Sequence, residues 1–221
     1  MIVEKFFASP VYFEEIPSHL NSVNKICDNI LKEASSNKNN PYQIELNNRK
    51  ILLEKNFDLV KNNGLTIHSE NIFKNLKEHP ITDYILSRSY KILDDQGFNL
   101  KNYKMVFEEY WVQEFCKGGY HDIHVHSNSH ISGFYFLKIS NKTSFPFFQD
   151  PRTSALMNKL PLKNATDKCD GQSLINLYAK PGTLVFFNSY LPHGYSVNYG
   201  VEDFRFIHFN IAAIRKDVFY E

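Results

Sequence analysis

Histidine is concentrated in one short stretch of the chain. Four of its nine histidines, at positions 121, 124, 126 and 130, fall within ten residues, and His193 follows further on. Neutral imidazole is a common ligand for iron, zinc and copper in proteins. His124 and His126 are two residues apart, so on a β-strand both side chains project from the same face. With His193 as a third donor, the pattern predicts a metal site that keeps further coordination positions open for oxygen or a substrate.

Other residues nearby are alternative ligands. His121 precedes Asp122 and is expected to lie before the strand begins. His130 is four residues after His126, where a cupin motif would place a fourth ligand. Asp122 would serve if the site used a carboxylate.

Arg205 is a candidate for binding an anionic ligand. It lies in the strand-like segment FRFIHFN, where alternation puts Arg205, Ile207 and Phe209 on one face. If Phe209 faces the interior of a barrel, Arg205 does too, and a buried arginine is costly without a carboxylate partner. Its fork of N–H donors fits a carboxylate with two hydrogen bonds. A carboxylate-bearing cosubstrate would satisfy it, and the alternative is an ordinary salt bridge to Glu202 or Asp203.

The second half of the chain has the pattern of a β protein. From Phe98 onward, apolar residues alternate or run in short blocks between turn residues, in the segments YKMVFEEYWVQEF, ISGFYFLKI, SLINLY, GTLVFF and DFRFIHFNIAAI. Several short strands at this spacing predict an antiparallel sandwich or jelly-roll barrel.

The first 97 residues are expected to be a mixed, mainly helical scaffold. A short strand is predicted within residues 1–16, and a helix follows Pro17 with apolar residues at helical spacing. Ser69 is expected to cap a helix that Pro80 stops, and Thr82 to cap the next one, which ends near Gly97. The predicted organisation is a scaffold, residues 1–97, packed on a barrel core, residues 98–221, as one structural unit.

Composition narrows the function classes. The chain carries 25 basic and 24 acidic residues, a net charge of +1, which makes a nucleic-acid partner unlikely. No apolar run approaches the length of about 18 residues that predicts a membrane span. Cys27, Cys116 and Cys169 are far apart and odd in number, which argues against a disulfide framework and predicts a cytoplasmic setting.

Four features together resemble the iron(II)- and 2-oxoglutarate-dependent oxygenases. They are the segment H-x-H-(x)5-S-G-x-Y-x-L from His124, the DPR at Asp150, the run PGTLVFFNSYLPH, and Arg205. Their order and spacing resemble a subfamily found in bacteria and cyanophages, over residues 105–214. The resemblance implies a double-stranded β-helix and two cofactors, iron(II) and 2-oxoglutarate. It also implies a dioxygenase that converts 2-oxoglutarate and O2 to succinate and CO2 while hydroxylating a substrate, which the sequence does not identify.

The resemblance also assigns roles to individual residues. It makes His124 the first iron ligand and His193 the distal one, with Arg205 gripping the far carboxylate of 2-oxoglutarate. Tyr135 is a candidate to share that carboxylate. The broad family has an acidic residue where this chain has His126, so either three imidazoles hold the iron or His126 does not bind.

Two other classes of function fit the pattern. A cupin-type metalloenzyme that does not use 2-oxoglutarate would match Gly118-(x)5-His124-x-His126, although it lacks the expected glutamate at position 130. A non-catalytic module that keeps the barrel would explain the histidine at position 126.

Overall fold

The structure is a computed structural model that describes residues 7–37, 39, 66–154, 160–164 and 167–217 of the 221. The described residues form ten strands and three α-helices. The strands are β1 (Val11–Glu15), β2 (Thr66–His68), β3 (Tyr103–Phe115), β4 (His121–His124), β5 (Ile131–Lys138), β6 (Pro146–Gln149), β7 (Leu174–Asn176), β8 (Thr183–Asn188), β9 (His193–Tyr195) and β10 (Phe204–Arg215). The helices are α1 (Leu20–Ser36), α2 (Phe73–Leu76) and α3 (Pro80–Asp95), and a 3-10 turn at Pro17–His19 precedes α1.

The strands form two antiparallel sheets. The large sheet has the order β1-β8-β5-β10-β3-β2, and the small sheet has the order β4-β9-β6-β7. All the strand pairs within both sheets are antiparallel. Two antiparallel sheets with non-sequential neighbours confirm the predicted double-stranded β-helix.

The two faces of the large sheet bury different residues. On β10, Phe204 and Phe206 pack inward with aromatic residues between the two sheets. Ile207 and Phe209 belong instead to a second core cluster, which includes the buried residues of α1 and α3. Inward-facing and helix-facing residues therefore alternate along β10, as strand geometry requires.

Helix α1 follows its predicted periodicity. Its buried residues are Val23, Cys27, Ile30, Leu31 and Ala34. These positions form one apolar stripe that lies on the outer face of the large sheet, where α1 contacts β2, β3 and β5. In the described part of the chain, no helix combines the length and the apolar character needed to cross a membrane.

The predicted caps of the next two helices are wrong. Pro80 begins α3 rather than ending a helix, because proline is well tolerated at the first helical position. The cap residue is His79, whose Nδ1 accepts the N–H of Ile81 at 3.2 Å. The hydroxyl of Thr82 donates to the carbonyl of Leu76, and that of Ser69 accepts the N–H of Val112, so both link elements instead of capping helices.

Strands from the N-terminal region are part of the large sheet. Strand β1 pairs with β8, and β2 pairs with β3. The predicted short strand within residues 1–16 is thereby confirmed as β1, an edge strand of the barrel. The Asn-Gly pair at residues 63 and 64 is typical of a turn, and it lies outside the described residues.

Candidate metal centre

Three histidines converge at one end of the barrel. The ligand atoms of His124, His126 and His193 all lie within 4.8 Å of one another. His124 ends β4 and pairs directly with His193, which begins β9. His126 follows β4, and its backbone N–H donates to the carbonyl of Ser189 at 3.1 Å. The three predicted metal ligands are thus brought together from two separated parts of the chain.

Hydrogen bonds orient two of the rings. The Nδ1 of His124 lies 2.8 Å from the carbonyl oxygen of Asp122, and the Nδ1 of His193 lies 3.0 Å from that of Leu191. A carbonyl oxygen accepts but cannot donate, so each Nδ1 carries the ring hydrogen and each Nε2 keeps a free lone pair. This is the tautomer that a metal bound through Nε2 requires.

Unpartnered nitrogen atoms mark where a cation fits. Among the described residues, the Nε2 atoms of His126 and His193 are buried and have no hydrogen-bond partner. Burying a polar atom without a partner costs on the order of 1–3 kcal/mol, so such atoms call for an explanation. A metal ion between the rings would give each Nε2 atom a partner, and the residues present therefore fit a divalent cation.

All three rings are held neutral. Burial lowers the pKa of His126 to about 3, with a further contribution from His124. Burial also takes the pKa of His193 well below its ordinary value and lowers that of His124. Neutral imidazole is the form that binds a metal, so none of the three rings has to lose a net proton near neutral pH.

A fourth histidine beside the centre was missed by the sequence analysis. His208 lies on β10, fully buried, with its ring 4.7 Å from that of His126 and 5.7 Å from that of His193. It stacks on Trp111 at 4.3 Å. The signal that could have identified it was the alternation of FRFIHFN, in which His208 shares the inward face with Phe204 and Phe206.

Phenylalanines surround the buried side of the centre. The rings of Phe187, Phe134 and Phe148 lie 4.7, 5.7 and 6.2 Å from that of His193. All three belong to the aromatic cluster between the sheets. This apolar wall excludes water from one side of the metal position and strengthens electrostatic interactions there.

The alternative ligands lie outside the group of three. His121 belongs to β4 rather than preceding the strand, and its ring stacks on His124 at 4.2 Å. The Nδ1 of His130 accepts the N–H of Ala213. Asp122 contributes its backbone carbonyl to His124. The candidate centre therefore comprises His124, His126 and His193, and no carboxylate belongs to this group among the described residues.

Arg205 does not lie at the centre, contrary to the sequence analysis. Its Nη1 donates to Asp28 on α1 at 2.6 Å and its Nε to Glu114 on β3 at 2.7 Å. The side chain is buried on the helix-facing side of the large sheet. The inference failed because Phe209 faces the helices, and Arg205 shares that face. The alternative partners, Glu202 and Asp203, were also wrong.

Tyr135 lies on the same outer side. Its hydroxyl donates to the carbonyl of Ile16 at 3.0 Å, and its ring belongs to the core cluster shared with the helices. Neither residue predicted to grip the cosubstrate therefore contacts the three histidines.

The DPR segment lies beside a separate cavity. The guanidinium of Arg152 donates to both oxygens of Asp150, at 3.0 and 2.8 Å. Both residues line a cavity of about 580 Å³ between β1 and β7, together with Phe148 and Leu191. The three histidines do not line this cavity.

Comparison with known proteins agrees with this geometry. Residues 109–210 match the family described as "Putative 2OG-Fe(II) oxygenase". A search of curated proteins found no match to the sequence.

Two solved structures share the fold over most of the chain. One is a prolyl-4-hydroxylase from Pseudomonas putida, with 11% identity, a TM-score of 0.51, and coverage of 91% of this chain and 92% of that one. The other is AviO1 from Streptomyces viridochromogenes Tue57, with 14% identity, a TM-score of 0.50, and coverage of 92% and 90%. At these identities the likeness establishes the fold, and the function has to be argued from the site.

Proposed function

Because residues 109–210 match the family described as "Putative 2OG-Fe(II) oxygenase", we propose that this chain is an iron(II)- and 2-oxoglutarate-dependent hydroxylase whose iron is held by His124, His126 and His193. One observation supports the ligand assignment most strongly. Three ligand atoms lie within 4.8 Å of one another, and two of the three rings have a buried Nε2 that no described residue contacts with a hydrogen bond.

The cofactors supply the oxidising chemistry. Iron(II) held by the three histidines would support the oxidation of 2-oxoglutarate by O2 to succinate and CO2, with the second oxygen atom of O2 inserted into a C–H bond of the substrate. The protein needs no side-chain nucleophile or general acid for this reaction. Its tasks are to hold the ligands in place, to orient both organic molecules and to exclude water.

Specific residues carry out these tasks. The carbonyls of Asp122 and Leu191 fix the ring orientations of His124 and His193. Phe134 and Phe187 keep water from the buried side of the centre. Ligands preorganised in this way lose little entropy when the cation binds.

The residues that bind 2-oxoglutarate have to differ from those expected from the sequence. Arg205 is committed to Asp28 and Glu114, and recruiting it would break a buried ion pair. The polar side chains of β10 that contact His126 from the inner face are neutral, namely His208 and Asn210. We therefore propose that 2-oxoglutarate binds beside these neutral groups and without Arg205.

Turnover of 2-oxoglutarate tests the proposed reaction. Purified protein with iron(II) and O2 should convert 2-oxoglutarate to succinate, and His193→Ala should lose both iron binding and succinate formation. His130→Ala is the matched control, because His130 lies outside the ligand group. Iron binding without succinate formation, in the presence of excess 2-oxoglutarate, would contradict the proposed use of this cosubstrate.

A metalloenzyme of the same fold that does not use 2-oxoglutarate is the second candidate. It is favoured by the purely histidine ligand set and by the position of Arg205. Calorimetric titration of 2-oxoglutarate into the iron-loaded protein, without oxygen, separates the two candidates. Binding of 2-oxoglutarate supports the oxygenase, and its absence with iron bound supports the second candidate.

A further inference from the structure

A carboxylate lies just behind the ligand group. Glu109 on β3 pairs directly with Asn210 on the neighbouring strand β10. Both side chains lie on the inner face of the large sheet, next to His126. The nearest carboxylate oxygen of Glu109 is 3.9 Å from Nδ1 of His126. About half of the Glu109 side chain is exposed to solvent, so it has room to move closer.

An irregularity in the sheet brings Glu109 to this position. The register between β10 and β3 shifts between Asn210 and Ile211, which pair with Glu109 and Phe107 and leave Glu108 as an extra residue. Residues 103, 105 and 107 pack toward the helices before this bulge, and residues 110 and 112 do so after it. Bulges of this kind redirect side chains near functional sites. Here the bulge turns Glu109 inward, in phase with Trp111.

Asn210 holds the carboxylate in place. Its amide nitrogen donates to Glu109 and also lies 3.0 Å from Nδ1 of His126. Its amide oxygen accepts from the hydroxyl of Ser132 at 2.6 Å and faces Nε2 of His208 at 3.3 Å. Four side chains therefore fix the orientation of one buried amide.

Metal binding changes which ring nitrogen of His126 has to carry the hydrogen. Without a metal, Nδ1 of His126 accepts from the Asn210 amide, and the ring hydrogen lies on Nε2. A ring that binds a cation through Nε2 has to carry its hydrogen on Nδ1. A carboxylate oxygen of Glu109 lies 3.9 Å from the nitrogen that would carry this hydrogen. Its charge also offsets the extra positive charge that three neutral ligands leave on a divalent cation.

Resting on the metal site proposed above, we propose that Glu109 is the outer-sphere carboxylate of the centre. It accepts the Nδ1 hydrogen of metal-bound His126. The Asn210 amide nitrogen, itself a donor, then has to move away from Nδ1 while it keeps its hydrogen bond to Glu109 and so positions the carboxylate. Glu109 thus supplies the negative charge that a carboxylate bound to the metal would have supplied. It does so through its hydrogen bond to the ligand His126. Both are positioning residues, because they act on the metal through His126.

Cobalt(II) titration tests this role without requiring turnover. Cobalt(II) alone is added to the full-length protein, and the visible absorption of the bound ion gives its dissociation constant and reports its coordination. Outer-sphere partners of metal-bound histidines typically contribute about 10- to 100-fold to metal affinity. We therefore expect Glu109→Gln to weaken cobalt binding about tenfold or more, and Glu109→Asp, which keeps the charge, to lose less.

Glu108→Gln is the matched control, since it removes the same charge from the neighbouring residue of the bulge. It should bind cobalt as the wild-type chain does. Asn210→Ala should also weaken binding, and adding Glu109→Gln to it should cost little more, because both act through one contact. Thermal melting of each variant confirms that it is folded.

Two results would overturn the inference. If wild-type protein binds cobalt tightly and Glu109→Gln binds it as well as Glu108→Gln does, the outer-sphere role fails while the proposed metal site stands. If the wild-type chain binds no cobalt at all, the metal site itself fails, and this inference fails with it.

Discussion

The face of a strand on which a residue lies decides its role in this protein. His124 and His126 were predicted from their two-residue spacing on a strand, and His193 was added as a third donor from a separate segment. His124 ends β4 and His126 follows it, so the group of three does not require both to lie on one continuous strand. Arg205 was misplaced because periodicity does not say which of the two faces is inward, and Tyr135 was assigned by the family resemblance alone. On β10 both faces are apolar, so Phe209 gave no reliable indication, and the same ambiguity concealed His208.

Replacing Arg205 should destabilise the protein rather than abolish cosubstrate binding. Arg205→Met would leave Lys138 as the remaining ion-pair partner of the buried Glu114 carboxylate. It would also remove the ion pair that links Asp28 of α1 to the large sheet. Removing one partner of a buried ion pair typically costs about 3–5 kcal/mol, and we expect about 3 kcal/mol because Asp28 is largely exposed. Urea unfolding measures the loss.

The control for this variant is Arg152→Ala, which removes an exposed arginine paired with Asp150. Its effect on the free energy of unfolding should stay below about 1 kcal/mol. A stable Arg205→Met protein whose affinity for 2-oxoglutarate has collapsed would contradict the placement of Arg205 described above.

At the scale of elements, all the long strands were predicted, and so were the short strands β1 and β7. The predicted segments correspond to β3, β5, β7, β8 and β10, because each carries an apolar block or alternation between turn residues. Strands β4, β6 and β9 have four residues or fewer, too few to show a period, and β6 begins with a proline. Two of these short strands, β4 and β9, carry His124 and His193, so the detailed geometry of the site required the structure.

Gly133 determines how closely β5 can approach its neighbours. A Cβ atom there would lie 2.2 Å from the carbonyl oxygen of Val185 and 2.3 Å from the ring of Phe209. Gly133→Ala should therefore force the sheet apart and cost about 3 kcal/mol, the upper end of the usual overpacking range. Thermal or urea unfolding measures this loss.

Gly171→Ala is the corresponding control, because the nearest atom to its Cβ is the flexible end of Leu162 at 3.2 Å. The two alanine variants should differ clearly in stability. Equal stability would show that β5 and β10 tolerate a wider separation than the structure has.

At the scale of the whole molecule, several buried histidines make the fold sensitive to acid. His193 and His208 have pKa values well below the ordinary value of 6.5, and burial lowers the pKa of His126 to about 3 and that of His68 to about 4. In the unfolded chain each of these rings titrates near its ordinary pKa. Below that pH the unfolded state binds protons that the folded state excludes.

Stability of the metal-free protein should therefore fall as the pH drops below about 6.5. Each histidine that stays neutral in the folded state contributes a slope of about 1.4 kcal/mol per pH unit. Urea unfolding at a series of pH values from 7 downward measures the combined slope. His208→Gln should reduce this slope by about 1.4 kcal/mol per pH unit, the contribution of one histidine. A free energy of unfolding that does not change between pH 7 and 5 would contradict the neutral, buried state of these rings.

The two-layer architecture itself followed from composition and pattern. Aromatic-rich alternating segments predicted the jelly roll, and amphipathic spacing predicted α1 on its outside. The joining of β1 and β2 to the large sheet depends on contacts between distant parts of the chain, which local periodicity does not encode.

Anomalous diffraction at the iron absorption edge, from crystals grown with iron(II) under anaerobic conditions, tests the central claim most directly. The account predicts one peak about 2 Å from Nε2 of each of His124, His126 and His193. A peak elsewhere in the molecule, or no peak between these three rings at full iron loading, would contradict it.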